Sequence, residues 1–334
     1  MPRLALALIA LLLAAACPAP PTEVPDASTA FPADAAIAAA ADASIPGLDA
    51  SLAGPDAAAP GPDAGPKSSQ GQGGLACTST GVVSSGGVDY PYCVATVAGV
   101  EMKIVEPEAG GAGPLRLAVY LHGDGAGPYS SGLALKKHAP WTTPRRTLYV
   151  AARAPNACAW WLKPGYTTCD GVTPIPDDAV DTGGENAQAL LSALDALRAG
   201  WDLLDSPALF GGSSGGSIFL SASFFPLHGD RFPGAYALSC GGDAPWAGSL
   251  AWDGTDPALV GATRLFFTYG DKDFVVPDVL EAVAFYQGLG LLTDVKVVPE
   301  TVAQGSSHCG NVGGSYSYDQ IGRVTEVWSS YLGQ

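Results

Sequence analysis

Basic residues are scarce in this 334-residue chain, with 16 Lys and Arg against 32 Asp and Glu and a formal net charge of −16. That balance excludes the clustered positive charge on which nucleic-acid binding and polybasic contacts with anionic lipid depend. Histidine is scarcer still, at four residues, so histidine-dependent chemistry has few candidates. No Cys-x-x-Cys or His-x-x-x-His spacing occurs, which argues against a structural zinc site, and no metal or cofactor is expected. The apolar run at residues 4–13 is too short for a comfortable membrane span.

What is present at the N-terminus is the pattern of an export signal. Arg3 supplies the positive start, the apolar run follows, and Ala14, Ala15 and Ala16 are small. "LLAAAC" is similar to a bacterial lipobox, which makes residues 1–16 a signal peptide and Cys17 the lipidated mature N-terminus. Ordinary secretion after an Ala-x-Ala site is the alternative. The expected location is the cell envelope, at the outer membrane or cell surface, with the lipid at Cys17 as the membrane contact. Six further cysteines, Cys77, Cys93, Cys158, Cys169, Cys240 and Cys309, form an even set in an exported chain and suggest three disulfides. Fifteen connectivities are possible. The pairs favoured here are 77–93, 158–169 and 240–309, with buried free thiols as the alternative.

Residues 17–74 are dominated by Ala, Pro, Asp, Gly and Ser. Asp26, Asp34, Asp42, Asp49, Asp56 and Asp63 recur every seven or eight residues, but a coiled coil needs large apolar residues that this segment lacks, and proline interrupts any helix. The segment reads as a solvated tether able to hold a domain about 40 Å from its anchor. From residue 75 to 334 strand-like and helix-like stretches alternate. The strand-like ones are residues 101–106, 115–121, 147–152, 207–211, 234–239, 264–270 and 294–300. The helix-like ones are 185–200, 217–225, 277–290 and 320–332. Such alternation predicts an α/β domain with a mainly parallel sheet flanked by helices and a site at the carboxyl ends of the strands.

The strand "PALF" runs directly into "GGSSGGS", and a helix-like stretch follows. A Gly-x-Ser-x-Gly match gains meaning in that context, because a nucleophilic serine on a strained strand-to-helix turn needs glycines where the two backbones approach. Both Ser213 and Ser214 fit the frame. The extended pattern Gly-x-Ser-x-Gly-Gly selects Ser213, since Ser217 occupies the last place for Ser214. A serine also needs a base, oriented in turn by an acid. His122 precedes the candidate nucleophile, His138 sits beside Lys136 and Lys137 in a loop or surface helix, and His228 follows too closely. The order Ser, acid, His leaves His308. Asp271 and Asp273 follow the intervening strand in "YGDKDFVVP", and Asp273 is favoured. The amides of Ser214 and of Asp124, in "YLHGDGAG", are candidate oxyanion donors, with His122 as support for that loop. Phosphate binding by "GDGAG" is a weaker alternative, since no lysine lies within it. Trp160 and Trp161 either line a substrate pocket or divide between the core and the cover of a disulfide.

"YLHGDG", "GGSSGG", "GDKDFVVP" and "SSHCG" occur in the order of the α/β-hydrolase superfamily, which the chain resembles over residues 99–332. With "NACAWW" added, it is similar to the secreted esterase group that includes polyhydroxybutyrate depolymerases and feruloyl esterases. The resemblance implies a serine esterase with the triad Ser213, Asp273 and His308, acting without cofactor on carboxylic esters. The absence of a long lid-like insertion suits bulky or polymeric ones. The alternatives are a binding protein that kept the fold without activity, and a peptidase on the same fold.

Overall fold

A computed structural model describes residues 67–108, 112–170, 173–299, 308–309, 311–312, 315–316 and 318–333. All belong to one of two compact units, which runs from Pro60 to Gln334. The expected signal peptide, the lipidation of Cys17 and the tether as far as residue 66 lie outside the described residues.

Nine strands form one sheet in the order β1-β2-β3-β5-β4-β6-β7-β8-β9. They are β1 (Ser79–Ser85), β2 (Val88–Val97), β3 (Val100–Val105), β4 (Arg116–Leu121), β5 (Thr147–Arg153), β6 (Ala208–Ser213), β7 (Gly234–Ser239), β8 (Arg264–Gly270) and β9 (Leu292–Val298). The three pairings from β1 to β5 are antiparallel, and all pairings from β5 to β9 are parallel. A two-stranded ribbon, β10 (Asn311–Val312) and β11 (Ser315–Tyr316), stands apart from the sheet. The helices are α1 (Gly127–Ser130), α2 (Leu133–Thr142), α3 (Glu185–Gly200), α4 (Gly215–Phe219), α5 (Phe225–His228), α6 (Pro257–Ala262), α7 (Val276–Gly288) and α8 (Gly322–Leu332). A π-helical turn, Leu220–Phe224, joins α4 to α5 into one rod. This is the α/β-hydrolase fold that the sequence predicts. Among the described residues, no helix is long and apolar enough to cross a membrane.

The central strands are apolar on both faces because helices cover both. Every residue of β6 and β7 is buried. Strand alternation sends Leu117, Val119, Phe210, Tyr236 and Phe267 to a core shared with α3, the α4–α5 rod and α7. The intervening residues, among them Ala118, Tyr120, Leu209 and Ala237, pack with α2 and α8 on the opposite face. From β4 the chain moves one way to β5 and then returns past β4 to β6. That reversal opens a crevice at the carboxyl ends of β4 and β6, where open α/β sheets bind ligands.

The folded part begins earlier than residue 75. Ser69 N–H donates to Leu203 O (2.8 Å), Gln72 N–H to Ala199 O (3.1 Å) and Gly74 N–H to Gly200 O (2.7 Å). The last two of these donors satisfy carbonyls at the end of α3 that have no partner within the helix. The composition there reads as linker, but its glycine serves close approach: a Cβ on Gly71 would lie 2.1 Å from Arg198 O. The cysteines pair as 77–93, 158–169 and 240–309, with Cα–Cα separations of 5.4, 5.6 and 4.9 Å.

His138 is not on the surface. It lies fully buried on α2, where Tyr149 O–H donates to Nδ1 (2.9 Å) and Nε2–H donates to Ile321 O (2.9 Å). One ring thus ties α2 to β5 and to the start of α8, and burial lowers its pKa to about 4. The neutral ring is the folded form. Its contribution is complete above the unfolded value of about 6.5 and is lost as pH falls through about 4. Between pH 7 and pH 4 the wild-type chain should therefore lose about 3 kcal/mol more stability than H138Q. Urea denaturation of both chains across that range checks this, and parallel pH dependences would contradict it.

Candidate active site

Ser214 occupies the turn between β6 and α4 with φ 50° and ψ −123°. A side chain in that region costs on the order of 1–3 kcal/mol and persists only where its surroundings fix it. Here they do. A Cβ on Gly212 would lie 2.7 Å from Gly216 C, and one on Gly216 would lie 2.5 Å from Leu121 O. The strand, the following helix and the end of β4 therefore meet backbone to backbone. Ser214 N–H donates to Ser239 O (2.9 Å), which fixes the turn against β7.

The turn brings Ser214 Oγ to 2.7 Å from His308 Nε2, and His308 Nδ1 lies 2.9 Å from Asp273 Oδ1. An ionised Asp273 accepts from Nδ1–H, which leaves Nε2 to accept the Ser214 hydroxyl proton. The carboxylate is itself held by Cys309 N–H on Oδ2 (2.7 Å) and Val275 N–H on Oδ1 (3.3 Å), and its side chain is fully buried. Asp271, the alternative acid, is exposed. One third of the His308 side chain is exposed, and the exposed Phe274 ring stacks on it at 4.5 Å. Asp273, His308 and Cys309 lie close enough together to suggest a metal site. Cys309 Sγ, however, is bonded to Cys240.

The geometry selects Ser214 rather than Ser213. Ser213 is still within β6 and pairs with Ser239 in the ladder. Alternation places it on the same face as Gly211, whose Cβ would meet Val324 and Trp328 of α8. Its Oγ is buried there, 2.6 Å from Tyr120 Oη, whereas Ser214 retains solvent exposure. The Gly-x-Ser-x-Gly frame in use is Gly212 to Gly216, so the glycine preference that selected Ser213 was one residue out of register.

The oxyanion assignment moves with it. Ser214 N–H is engaged by Ser239 O. The residue after Ser214 is Gly215, which opens α4 and whose amide has no acceptor within the helix. The Asp124 backbone runs alongside, since a Cβ on the preceding Gly123 would lie 3.0 Å from Ser213 O and 3.1 Å from Ser214 Cβ. His122 supports this loop. It is fully buried, Nδ1–H donates to Gly123 O (2.7 Å), and Nε2 accepts from Ala154 N–H (3.1 Å). Burial lowers its pKa to about 4, so it stays neutral beside the site.

The two tryptophans divide. Trp160 is fully buried against Phe219, with ring centroids 5.2 Å apart, and has no surface to offer a substrate. Trp161 is half-buried and donates Nε1–H to Asp124 Oδ1 (3.0 Å) and Oδ2 (3.1 Å). Asp124 is exposed. Partial desolvation raises its pKa, while the Trp161 hydrogen bond and His308 oppose the rise. Beyond it lies a cleft of about 590 Å³ bounded by the loop of the 158–169 disulfide.

Sequence reasoning missed Asn156, Asn186, Gly215 and Tyr120. Asn156 Nδ2 donates to the Ala159 and Leu162 carbonyls, and its Oδ1 accepts from the Cys158 and Ala159 amides. Asn186 Nδ2 donates to Trp160 O and Leu162 O. Together they fix the loop that aims Trp161. Asn156 lies within "NACAWW", but a single asparagine in a turn gives no sign of closing four hydrogen bonds.

No family model and no curated protein matches the sequence. Among solved structures, the chain is similar to S-formylglutathione hydrolase (FrmB) from Staphylococcus aureus. The identity is 12% and the TM-score 0.43, over 77% of this chain and 98% of that one. It is similar to Est1E from Butyrivibrio proteoclasticus at 11% identity and a TM-score of 0.40, over 76% of this chain and 99% of that one. It is also similar to the acylaminoacyl peptidase of Pyrococcus horikoshii, at 14% identity and a TM-score of 0.44 over 76% of this chain. It spans 41% of the peptidase's length.

Proposed function

We propose that this protein is a serine hydrolase of carboxylic esters, with Ser214 as nucleophile, His308 as general base and acid, and Asp273 as the group that orients the imidazole. The observation that carries the reading is the contact chain from Ser214 Oγ through His308 to Asp273 at 2.7 and 2.9 Å, on a serine held in a strained turn. Ser214 attacks the ester carbonyl while Nε2 takes its proton, and Asp273 stabilises the imidazolium that forms. The Gly215 and Asp124 amides hold the tetrahedral oxyanion. His308 then protonates the leaving alcohol, and water, activated by the same imidazole, releases the acid and restores Ser214.

The finer reading places the enzyme in the cell envelope, exported by residues 1–16 and held by a lipid at Cys17. It acts there on bulky or polymeric esters, as the likeness to polyhydroxybutyrate depolymerases and feruloyl esterases suggests. Three disulfides suit an oxidising compartment, and the part-exposed Ser214 and His308 suit a large substrate.

Cys309 follows His308 directly, and its bond to Cys240 ties the histidine to the end of β7. The residue that positions the base is therefore anchored covalently one residue beyond Ser239, whose carbonyl holds Ser214.

Labelling by a fluorophosphonate probe should be lost in S214A and retained in S213A. S214A should lower kcat on aryl esters at least about 10³-fold, while S213A stays within about tenfold of wild type. Labelling that survives in S214A and vanishes in S213A would return the nucleophile to Ser213. Replacing Cys240 and Cys309 together by Ser should cost about 4 kcal/mol of stability. It should also reduce kcat at least tenfold in chains still folded by circular dichroism. Unchanged kcat would show that other contacts suffice to place His308.

A further inference from the structure

We infer that the Asp124 side chain sets the charge preference of this site, favouring esters that carry a cationic group such as an ammonium near the reacting carbonyl. The inference rests on the reading of Ser214 as the nucleophile. A Cβ on Gly215 would lie 2.1 Å from Asp124 Oδ1 and 2.7 Å from Trp161 Cδ1. The carboxylate thus sits directly over the residue whose amide follows the nucleophile. Both of its oxygens share the single Trp161 N–H, and a carboxylate has about four acceptor sites, so acceptor capacity remains on a residue that lines the cleft.

Among the described residues the cleft wall supplies no lysine or arginine; Gly125, Leu162, Thr168, Thr173 and Ile175 line it with Asp124. Its other acid, Asp170, accepts from the Thr173 amide and hydroxyl. The cation that acts on Asp124 is the His308 imidazolium that the reaction itself forms. An anion beside the place where negative charge develops opposes that charge, even as it favours the His308 imidazolium. A substrate that brings its own cation removes the opposition. One that brings an anion adds to it. The discrimination acts on the transition state and so appears in kcat/KM.

Two substrate series test this. One consists of butyrate esters of choline, of its uncharged isostere 3,3-dimethylbutanol and of 2-sulfoethanol. The other consists of the 4-nitrophenyl esters of 6-aminohexanoate and heptanoate and the half-ester of adipate. In at least one series the wild-type chain should favour the cationic over the neutral ester by about tenfold or more in kcat/KM, and the neutral over the anionic. D124N should bring the cationic and neutral esters within about threefold of each other, while D124E keeps the preference. Turnover of neutral esters without a cationic preference in either series overturns the inference and leaves the proposed function standing. So does a preference that survives in D124N. Should D124N fail to fold, competition against a neutral ester on the wild-type chain decides: butylammonium should inhibit with a Ki at least about tenfold below that of butanol, and equal values overturn the inference. A wild-type chain that neither turns over any ester nor takes a fluorophosphonate label removes the proposed function and the inference together.

Discussion

Everything at this site depends on one backbone crossing, where β6 ends, α4 begins and the end of β4 lies against both. Two of the crossing points have no room for a Cβ, at Gly212 against Gly216 and at Gly216 against Leu121 O. Because three main chains touch there, the one residue between strand and helix must turn through a left-handed conformation, and that residue is Ser214. The strain is held by backbone packing and by the Ser214 amide on Ser239 O. It projects a hydroxyl out of the sheet to where the segments after β8 and β9 deliver Asp273 and His308.

Those two segments are linked by chemistry as well as by proximity. Asp273, just after β8, spends one oxygen on His308 and the other on the Cys309 amide. Adjacent residues of one segment are thus read by a single carboxylate, while Cys309 is bonded to Cys240 after β7. A carboxylate with both oxygens occupied has little freedom to rotate, and so the imidazole plane is fixed too. The buried His122 does the equivalent work on the other side, joining Gly123 to Ala154 with both ring nitrogens.

Much of this could be read from the residues, and the exceptions have physical causes. Apolar runs located the seven strands that are buried or part-buried by helices, and residues 185–200 emerged as α3 with the same ends. β1 and β2 escaped because polar and turn-forming residues interrupt them, Ser79, Thr80, Ser84 and Ser85 in β1 and Asp89 and Pro91 in β2. His308 and Asp273 were legible because chain order leaves few partners for a serine. Which serine was not legible from glycine spacing, since two overlapping frames satisfy it. It follows from strand alternation: counting from Phe210, which faces α3 and the rod, Ser213 still points toward α8 and Ser214 is the first residue free to leave the sheet. The start of the domain was misplaced for a related reason. Glycine and serine mark solvated chain in most contexts, but at residues 67–74 they allow a segment to lie against helix-end carbonyls that a bulkier one could not reach.

The acidic composition acquires a local meaning at the cleft. Several of the few cations are committed elsewhere: Arg153 to Glu101, Arg198 to Asp205, Arg231 to Asp195, Arg264 to Asp294 and Lys137 to Asp319. Each of these pairs keeps at least a quarter of one partner's side chain in water, so each contributes at most about 1 kcal/mol to stability. Their larger effect is on the distribution of charge. Arg153, at the carboxyl end of β5 beside β4, is committed to Glu101, and Asp124 stands over Gly215. A chain poor in cations thus leaves Asp124 in a cleft whose described lining holds no Lys or Arg, where its negative charge bears on Gly215 beside Ser214.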